Sequence, residues 1–336
     1  MGALCALAES ADRQGDQASA SAVFNQAALL VSDVGLPDLA RQICRRHATT
    51  YLRAHPLGAQ VARLGLEPLV NLARLQIRNN EGDTAFQLLD RFYEAITAQM
   101  DTVIDGVPVP GATLTTTTED HRELCQWLWT VVLADGARAL ISSGRWQDAQ
   151  GHLRRHNGIG QRLLDGRQVA VLAHCIGGET TSALALLEES TLSEPWEQAV
   201  AACLTVLCLR SGGRPADTAA ATMCERYQAL APSPGLPVFR ARLGLTVIDL
   251  ASSIGQIDTR AATHLVHEAI ENADGYVARD ILAHNGCRAA LTDEEERALT
   301  LAVQSAGLGL GSLPAHLMAD LFRAVKTSER AIERSL

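Results

Sequence analysis

Residues 6–33 read ALAESADRQGDQASASAVFNQAALLVSD, and their spacing decides the fold. Small or apolar side chains recur at Leu7, Ala8 and Ala11, then at Ala20, Phe24, Ala27 and Ala28. Such spacing belongs to helices buried along one face. Gly15-Asp16 interrupts the pattern, so the stretch predicts two helices joined by a tight glycine turn, an αα-hairpin. The figure returns in SSGRWQDAQGHL (Gly144, then Ala149), in GGETTSALALLEE (Gly178, then Ala183) and in RSGGRPADTAAA (Gly212-Gly213, then Thr218 and Ala219). The intervals from Gly144 to Gly178 and from Gly178 to Gly212 are both 34 residues. SIGQIDTRAATHLVHEAI turns at Gly255 with Ala261 after it, and the degenerate copy NLARLQIRNNEGDTAFQLLDRF puts Ala85 in the role of Ala20.

Composition agrees with this reading. The chain has 336 residues, 47% hydrophobic but only 4% aromatic, and its apolar content is Ala, Leu and Val. Ala and Leu are strong helix formers, whereas β-sandwiches and barrels draw on β-branched and aromatic residues. An all-α fold follows. The net charge of −9 makes the chain a poor partner for nucleic acid or an anionic membrane. Lys326 is the only lysine among the basic residues; the rest are arginines. Coding in a GC-rich genome explains that bias, and bidentate anion contacts are the sharper alternative. Eight cysteines, with no C-x-x-C pair, lie in apolar helical stretches and read as reduced core residues of a cytoplasmic protein. MGALCALAES lacks the basic start of a signal peptide, and no run of about 18 apolar residues suggests a membrane span.

A 34-residue period, with glycine at the hairpin turn and alanine five residues later, resembles the tetratricopeptide repeat. The first copy carries the resemblance best, with Leu7, Ala8, Gly15, Ala20, Phe24 and Ala27 where that family puts its packing residues. The likeness runs from about residue 3 to 275, with poor matches at 35–66 and 98–130. The helix-A aromatic is missing from most copies, as is the proline that usually ends helix B. The chain is also similar to the helical sensor halves of actinomycete regulators. The resemblance implies an αα-hairpin superhelix, a tetratricopeptide-like α-solenoid, whose concave wall is built from the first helix of each hairpin. On that wall it places Asn71, Arg74 and Arg78, then Asp135, Arg138 and Arg210. Family members use an asparagine and basic side chains there to hold an extended peptide.

Two stretches break the array. Residues 101–118, DTVIDGVPVPGATLTTTT, have no helical period, and TVI and VPV flank Asp105-Gly106 as a small β-hairpin would. At the C-terminus, Thr292 and Glu295 form a capping box. After it a polar, amphipathic last helix reads as the cap that shields a solenoid's final hairpin. The expected organisation is N-terminal repeats over 1–100, an irregular insertion at 101–118, central repeats over 119–290 and C-terminal capping helices over 291–336.

No motif for a phosphate loop, a zinc protease or a serine hydrolase occurs; GLGLG at 307–311 lacks the strand before it and the Lys-Ser after it. No cofactor or metal is expected. His152 and His156, and His264 and His267, share helix faces but lack an evident third ligand. QICRRHATTYLR and GHLRRHNGIGQR each put Arg-Arg-His on a helix: Arg45, Arg46 and His47, then Arg154, Arg155 and His156. Clustered arginines in an acidic chain form a candidate anion patch, set against a solvated face balancing acidic neighbours. The leading expectation is a non-catalytic scaffold or regulatory adaptor that binds a peptide or protein. Against it stand an all-helical enzyme or accessory protein of a specialised biosynthetic pathway, with the 101–118 loop as lid over an anionic substrate, and an adaptor that homodimerises through Ala-rich faces.

Overall fold

The computed structural model describes residues 1–231, 235–252 and 259–336, and most of them are helical, in line with the all-α expectation. The chain forms two compact units: Met1–His152 with Gly309–Leu336, and Leu153–Leu308. The first contains α1 (Gly2–Gln14), α2 (Gln17–Val34), α3 (Pro37–Leu52), α4 (Ala59–Arg78), α5 (Gly82–Thr97), β1 (Thr102–Ile104), β2 (Val107–Val109), α6 (Thr118–Val131) and α7 (Ala137–Ser142). Helix α8 (Trp146–Arg155) carries the chain across the boundary. The second contains α9 (Asp165–Ile176), α10 (Thr180–Glu188), α11 (Pro195–Ser211), α12 (Asp217–Gln228), α13 (Pro237–Ser252), α14 (Thr259–Asn272), α15 (Gly275–Ala283), α16 (Asn285–Arg288) and α17 (Asp293–Ser305). The last helix, α18 (Ala315–Ser335), belongs to the first unit.

Six of the described hairpins close in one way. Gly15, Gly35, Asn80, Gly144, Gly178 and Gly213 all take left-handed backbone, with φ between 61° and 94°. The next amide then donates to a carbonyl five residues back: Asp16 to Ala11, Leu36 to Val31, Glu81 to Gln76, Arg145 to Leu140, Glu179 to His174 and Arg214 to Leu209, at 2.8–3.1 Å. This closure satisfies a carbonyl orphaned at the helix end, and asparagine tolerates the same conformation as glycine. The fourth residue of each following helix is alanine and has no exposed surface: Ala20, Ala40, Ala85, Ala149, Ala183 and Ala220. One expectation is corrected here. In the Gly212-Gly213 copy Thr218 is exposed and Ala219 only half-buried, because the connection is two residues longer and α12 starts at Asp217. The Gly255 turn lies outside the described residues, although Ala261 after it is buried.

The 101–118 insertion carries the β-hairpin that Asp-Gly announces. Thr102 pairs with Val109 and Ile104 with Val107, across Asp105 at φ 47° and Gly106 at φ 82°. Two positive φ values fit a two-residue turn whose twist matches the strands. From Thr118 to Ser142 the chain is one continuous helix, broken only by a wider π turn at Val132–Gly136. By length and composition this run is apolar enough to cross a membrane, contrary to the sequence reading, because few charged residues interrupt it; half of its most apolar window is buried in the protein.

The last helix reads in the sequence as a cap for the final hairpin; its apolar stripe of Leu321, Ala324, Val325, Ala331 and Ile332 instead joins the core of the first unit, where α18 packs on α1, α2 and α3. Leu4, Ala8 and Ala11 of α1 are buried in the same core. Gly309 and Gly311 of the GLGLG stretch donate their amides to the Asp33 and Val34 carbonyls at 2.8 and 2.7 Å, Arg334 pairs with Asp12, and Ser335 Oγ reaches the Gly15 carbonyl at 3.2 Å. Replacing fully buried Leu321 by alanine is expected to cost about 2–5 kcal/mol in urea unfolding, and exposed Phe322→Ala about 0.5 kcal/mol or less. Equal losses at the two positions would contradict this packing. Ala20→Leu, which forces bulk into a filled site, is expected to cost about 1–3 kcal/mol in the same assay.

Candidate functional site

Three of the residues expected on the binding wall line one cavity. Asn71, Arg74 and Arg78 share a face of α4, with steps of three and four residues. They border a cavity of about 420 Å³, which α2 completes with Asn25, Gln26 and Leu29. Leu29 is 49% exposed although apolar, and Ala28 and Leu75 add to the greasy lining.

The arginines are largely engaged by the protein itself. Arg74 donates from Nε and Nη2 to Asp135 Oδ2 at 3.1 and 2.8 Å, and from Nη1 to Asn71 Oδ1 at 3.1 Å. Arg138 reaches the other Asp135 oxygen at 3.5 Å, so the structure does bring Asp135 and Arg138 to this network. Asp135 is only 2% exposed and sits in the π turn between α6 and α7. In that turn the Val132 carbonyl accepts from His152 Nε2 at 2.9 Å. Arg78 pairs with Asp33 at the end of α2. Asn71 Nδ2 donates to Asn25 Oδ1 at 3.0 Å.

What remains for a ligand is a set of groups that the sequence reading missed. The Asn25 amide nitrogen, the Gln26 amide and the Glu67 carboxylate line the cavity, and none of them has a hydrogen-bond or ion-pair partner among the described residues. Glu67 stands four residues before Asn71, on the same α4 stripe as Arg74 and Arg78, and that spacing is visible in the sequence. Asn25 and Gln26 have no such signal, since they follow core residue Phe24 on another helix. Arg210 is not with this group: it is exposed on the last turn of α11, in the second unit.

Within the first of the two arginine motifs the charges are engaged by the protein itself. Arg45 pairs with Asp105 at the tip of the β-hairpin, at 3.1 Å, and Arg41 reaches the same carboxylate at 3.1 Å. Burial alone would push Asp105 up; the hydrogen bonds from Arg45 and Arg41 outweigh it and hold the carboxyl below its ordinary value. Arg46 donates through Nε to Glu329 on α18 at 2.8 Å and through Nη2 to the second oxygen, which holds Glu329 low as well. His47 is a core residue, stacked flat on Phe24 with ring centroids 4.5 Å apart. In the other motif Arg154 and Arg155 are exposed and His156 is half-buried; Arg154 lies 3.5 Å from His174 Nε2. The nearby Arg162 is bound to the fully buried Glu197 at 2.8 Å. The two Arg-Arg-His motifs thus lie in different units.

Among the described residues no cluster of three or more His, Cys, Asp or Glu is placed to hold a metal. His152 is buried against Val132, while His264 and His267 face Glu268 and Glu295 respectively. All eight cysteines are free thiols, and burial pushes Cys44, Cys203 and Cys208 up to about 12. The chain matches no protein-family model, no curated protein and no solved structure.

Burial pushes the His47 imidazole down to about 3, against an ordinary value of 6.5. Folded His47 is therefore neutral, whereas the unfolded chain takes up a proton below pH 6.5. Its effect on stability is nil above pH 6.5 and grows as pH falls toward 3, by about 1.4 kcal/mol per pH unit. Wild-type unfolding free energy should drop between pH 6.5 and 4.5 more steeply than that of His47→Phe, by about one proton's worth of slope. Parallel curves would show that His47 does not titrate this way.

Proposed function

We propose that the protein is a non-catalytic scaffold that holds an extended peptide or protein segment in the cavity between α2 and α4. The observation that carries this reading is the unspent polarity of that cavity. Its arginines are tied to Asp135 and Asp33, while amides from Asn25 and Gln26 and the Glu67 carboxylate stand beside exposed Leu29. Side-chain amides match the alternating donors and acceptors of an extended backbone, and an apolar floor takes one of its side chains. The volume of about 420 Å³ falls in the range of pockets that enclose a ligand group. An amphipathic segment suits this lining better than a purely acidic one.

The repeated hairpin closure supports the wider reading of a tetratricopeptide-like superhelix, akin to the sensor halves of actinomycete regulators and acting through a partner. Eight thiols and no disulfide support a cytoplasmic location. A homodimer through Ala-rich faces is the form in which such an adaptor would assemble. The enzyme reading loses its anion cradle, because Arg45 and Arg46 are bound to the protein's own Asp105 and Glu329. The 101–118 insertion, tied to α3 by the same Asp105, serves as a wall rather than a lid.

Selection of peptides from a displayed library on the immobilised protein provides the test. A selected peptide should bind Gln26→Ala/Glu67→Ala about tenfold or more weakly, because an unpartnered amide and an unpartnered carboxylate are removed, with an unchanged unfolding midpoint. Selected peptides indifferent to that double variant would exclude this cavity as the binding site.

A further inference from the structure

A second and larger cavity, of about 600 Å³, lies where the end of α3 meets the β-hairpin. We infer that it is a binding site for a short peptide with free termini and apolar side chains, its carboxylate held by Arg53 and its ammonium by Asp101.

The wall is built, not loose. Asp105 at the hairpin tip is gripped by Arg41 and Arg45, and Arg91 Nη2 donates to the Val103 carbonyl at 3.3 Å. Beyond the strands, Leu57 donates its amide to the Leu114 carbonyl at 2.8 Å and accepts from Thr116 at 3.0 Å. A methyl at Gly111 would meet the Met100 carbonyl oxygen at 2.1 Å, so the chain passes itself there with room for glycine alone. Ligand space bordered by fixed backbone loses little freedom on binding.

The charges name the ligand class. Four arginines lie on α3 or just past its end; Arg41 and Arg45 share the Asp105 carboxylate, and Arg46 is paired with Glu329. Arg53 is the fourth. It lines the cavity, is exposed, and makes no side-chain hydrogen bond or ion pair among the described residues. Asp101 lines the same cavity, and one of its oxygens accepts from the Ala112 amide at 3.1 Å, leaving the other open. The two opposite charges therefore border one space without pairing with each other. A simple anion would satisfy Arg53 but face Asp101, and a cation the reverse; a zwitterion satisfies both. Between them Leu52, Val103 and Val109 supply an apolar lining. His55 adds direction: its Nδ1 donates to the Leu52 carbonyl at 2.8 Å, which leaves Nε2 to accept an N–H from the ligand. The volume is that of a site for a drug-sized molecule, so a short peptide fits better than a single amino acid.

The test is calorimetric titration of the full chain with trileucine, N-acetyl-trileucine, trileucine amide and free leucine at up to millimolar concentration. Trileucine should bind, and blocking either terminus should weaken it about tenfold or more, as loss of a charge-assisted hydrogen bond does. Arg53→Gln should weaken trileucine to the level of its amide and no longer distinguish the two. Asp101→Asn, which keeps an oxygen for the Ala112 amide, should do the same for the acetylated peptide. Gln26→Ala/Glu67→Ala should leave all of this unchanged, which separates the site from the cavity between α2 and α4. No heat with trileucine, equal affinity for blocked and free peptides, free leucine binding as tightly as trileucine, or loss of binding in the Gln26/Glu67 variant would each overturn the assignment.

Discussion

Everything else in the chain depends on how closely the two helices of each hairpin approach. A left-handed residue reverses the backbone within one or two positions, so the second helix begins beside the end of the first. At six such starts the fourth residue is an alanine with no exposed surface. A methyl group there is the compromise between leaving a void and forcing the helices apart. Larger side chains such as Leu66, Leu89 and Phe92, fully buried, fill the core around these contacts. This explains why a chain that is 47% hydrophobic needs so few aromatic residues.

With the apolar faces committed to close packing, long-range order falls to the arginines. Arg46 joins α3 to a carboxylate 283 residues away, Arg74 joins α4 to the π turn, and Arg162 joins the connection before α9 to Glu197 on α11. In each case two guanidinium nitrogens engage one carboxylate, which a lysine ammonium does not reproduce with the same fixed geometry. Half-exposed pairs of this kind add little stability on their own. Their value is register: they fix which turn of one helix faces which turn of another. The arginine bias of the sequence therefore has structural employment, whatever its coding origin.

The parts legible in the sequence are those set by neighbours along the chain. Helical spacing, the turns at Gly15, Gly144 and Gly178, the Asp105-Gly106 hairpin and the Thr292 capping box all depend on contacts within a few residues, and each appears in place. Asn71, Arg74 and Arg78 were found for the same reason, since one helix face carries all three. The return of α18 to α1, the burial of His47 and the spending of Arg45 and Arg46 depend on partners far away in sequence. Nothing local distinguishes an arginine that meets Glu329 from one that meets water. The π turn is similarly silent: it adds a residue to a helix whose pattern on either side is regular, and it turns Asp135 inward. Arg210, placed on the same wall by the repeat resemblance, lies on α11 in the second unit.

The two cavities of the first unit show where a helical array of this kind can hold a ligand. Both border α3: Cys44 lines one, and Thr49, Leu52 and Arg53 line the other. That helix closes onto α2 through Gly35 like the other hairpins, and the β-hairpin packs beside it. Regular hairpins with alanine at their contact leave no space, because density is the condition of their stacking. Arg53 and Asp101 stand where the β-hairpin interrupts the array, whereas Asn25, Gln26 and Glu67 stand on helices of regular hairpins. In this chain close packing along the hairpins supplies rigidity, and side chains not spent on that packing supply the chemistry.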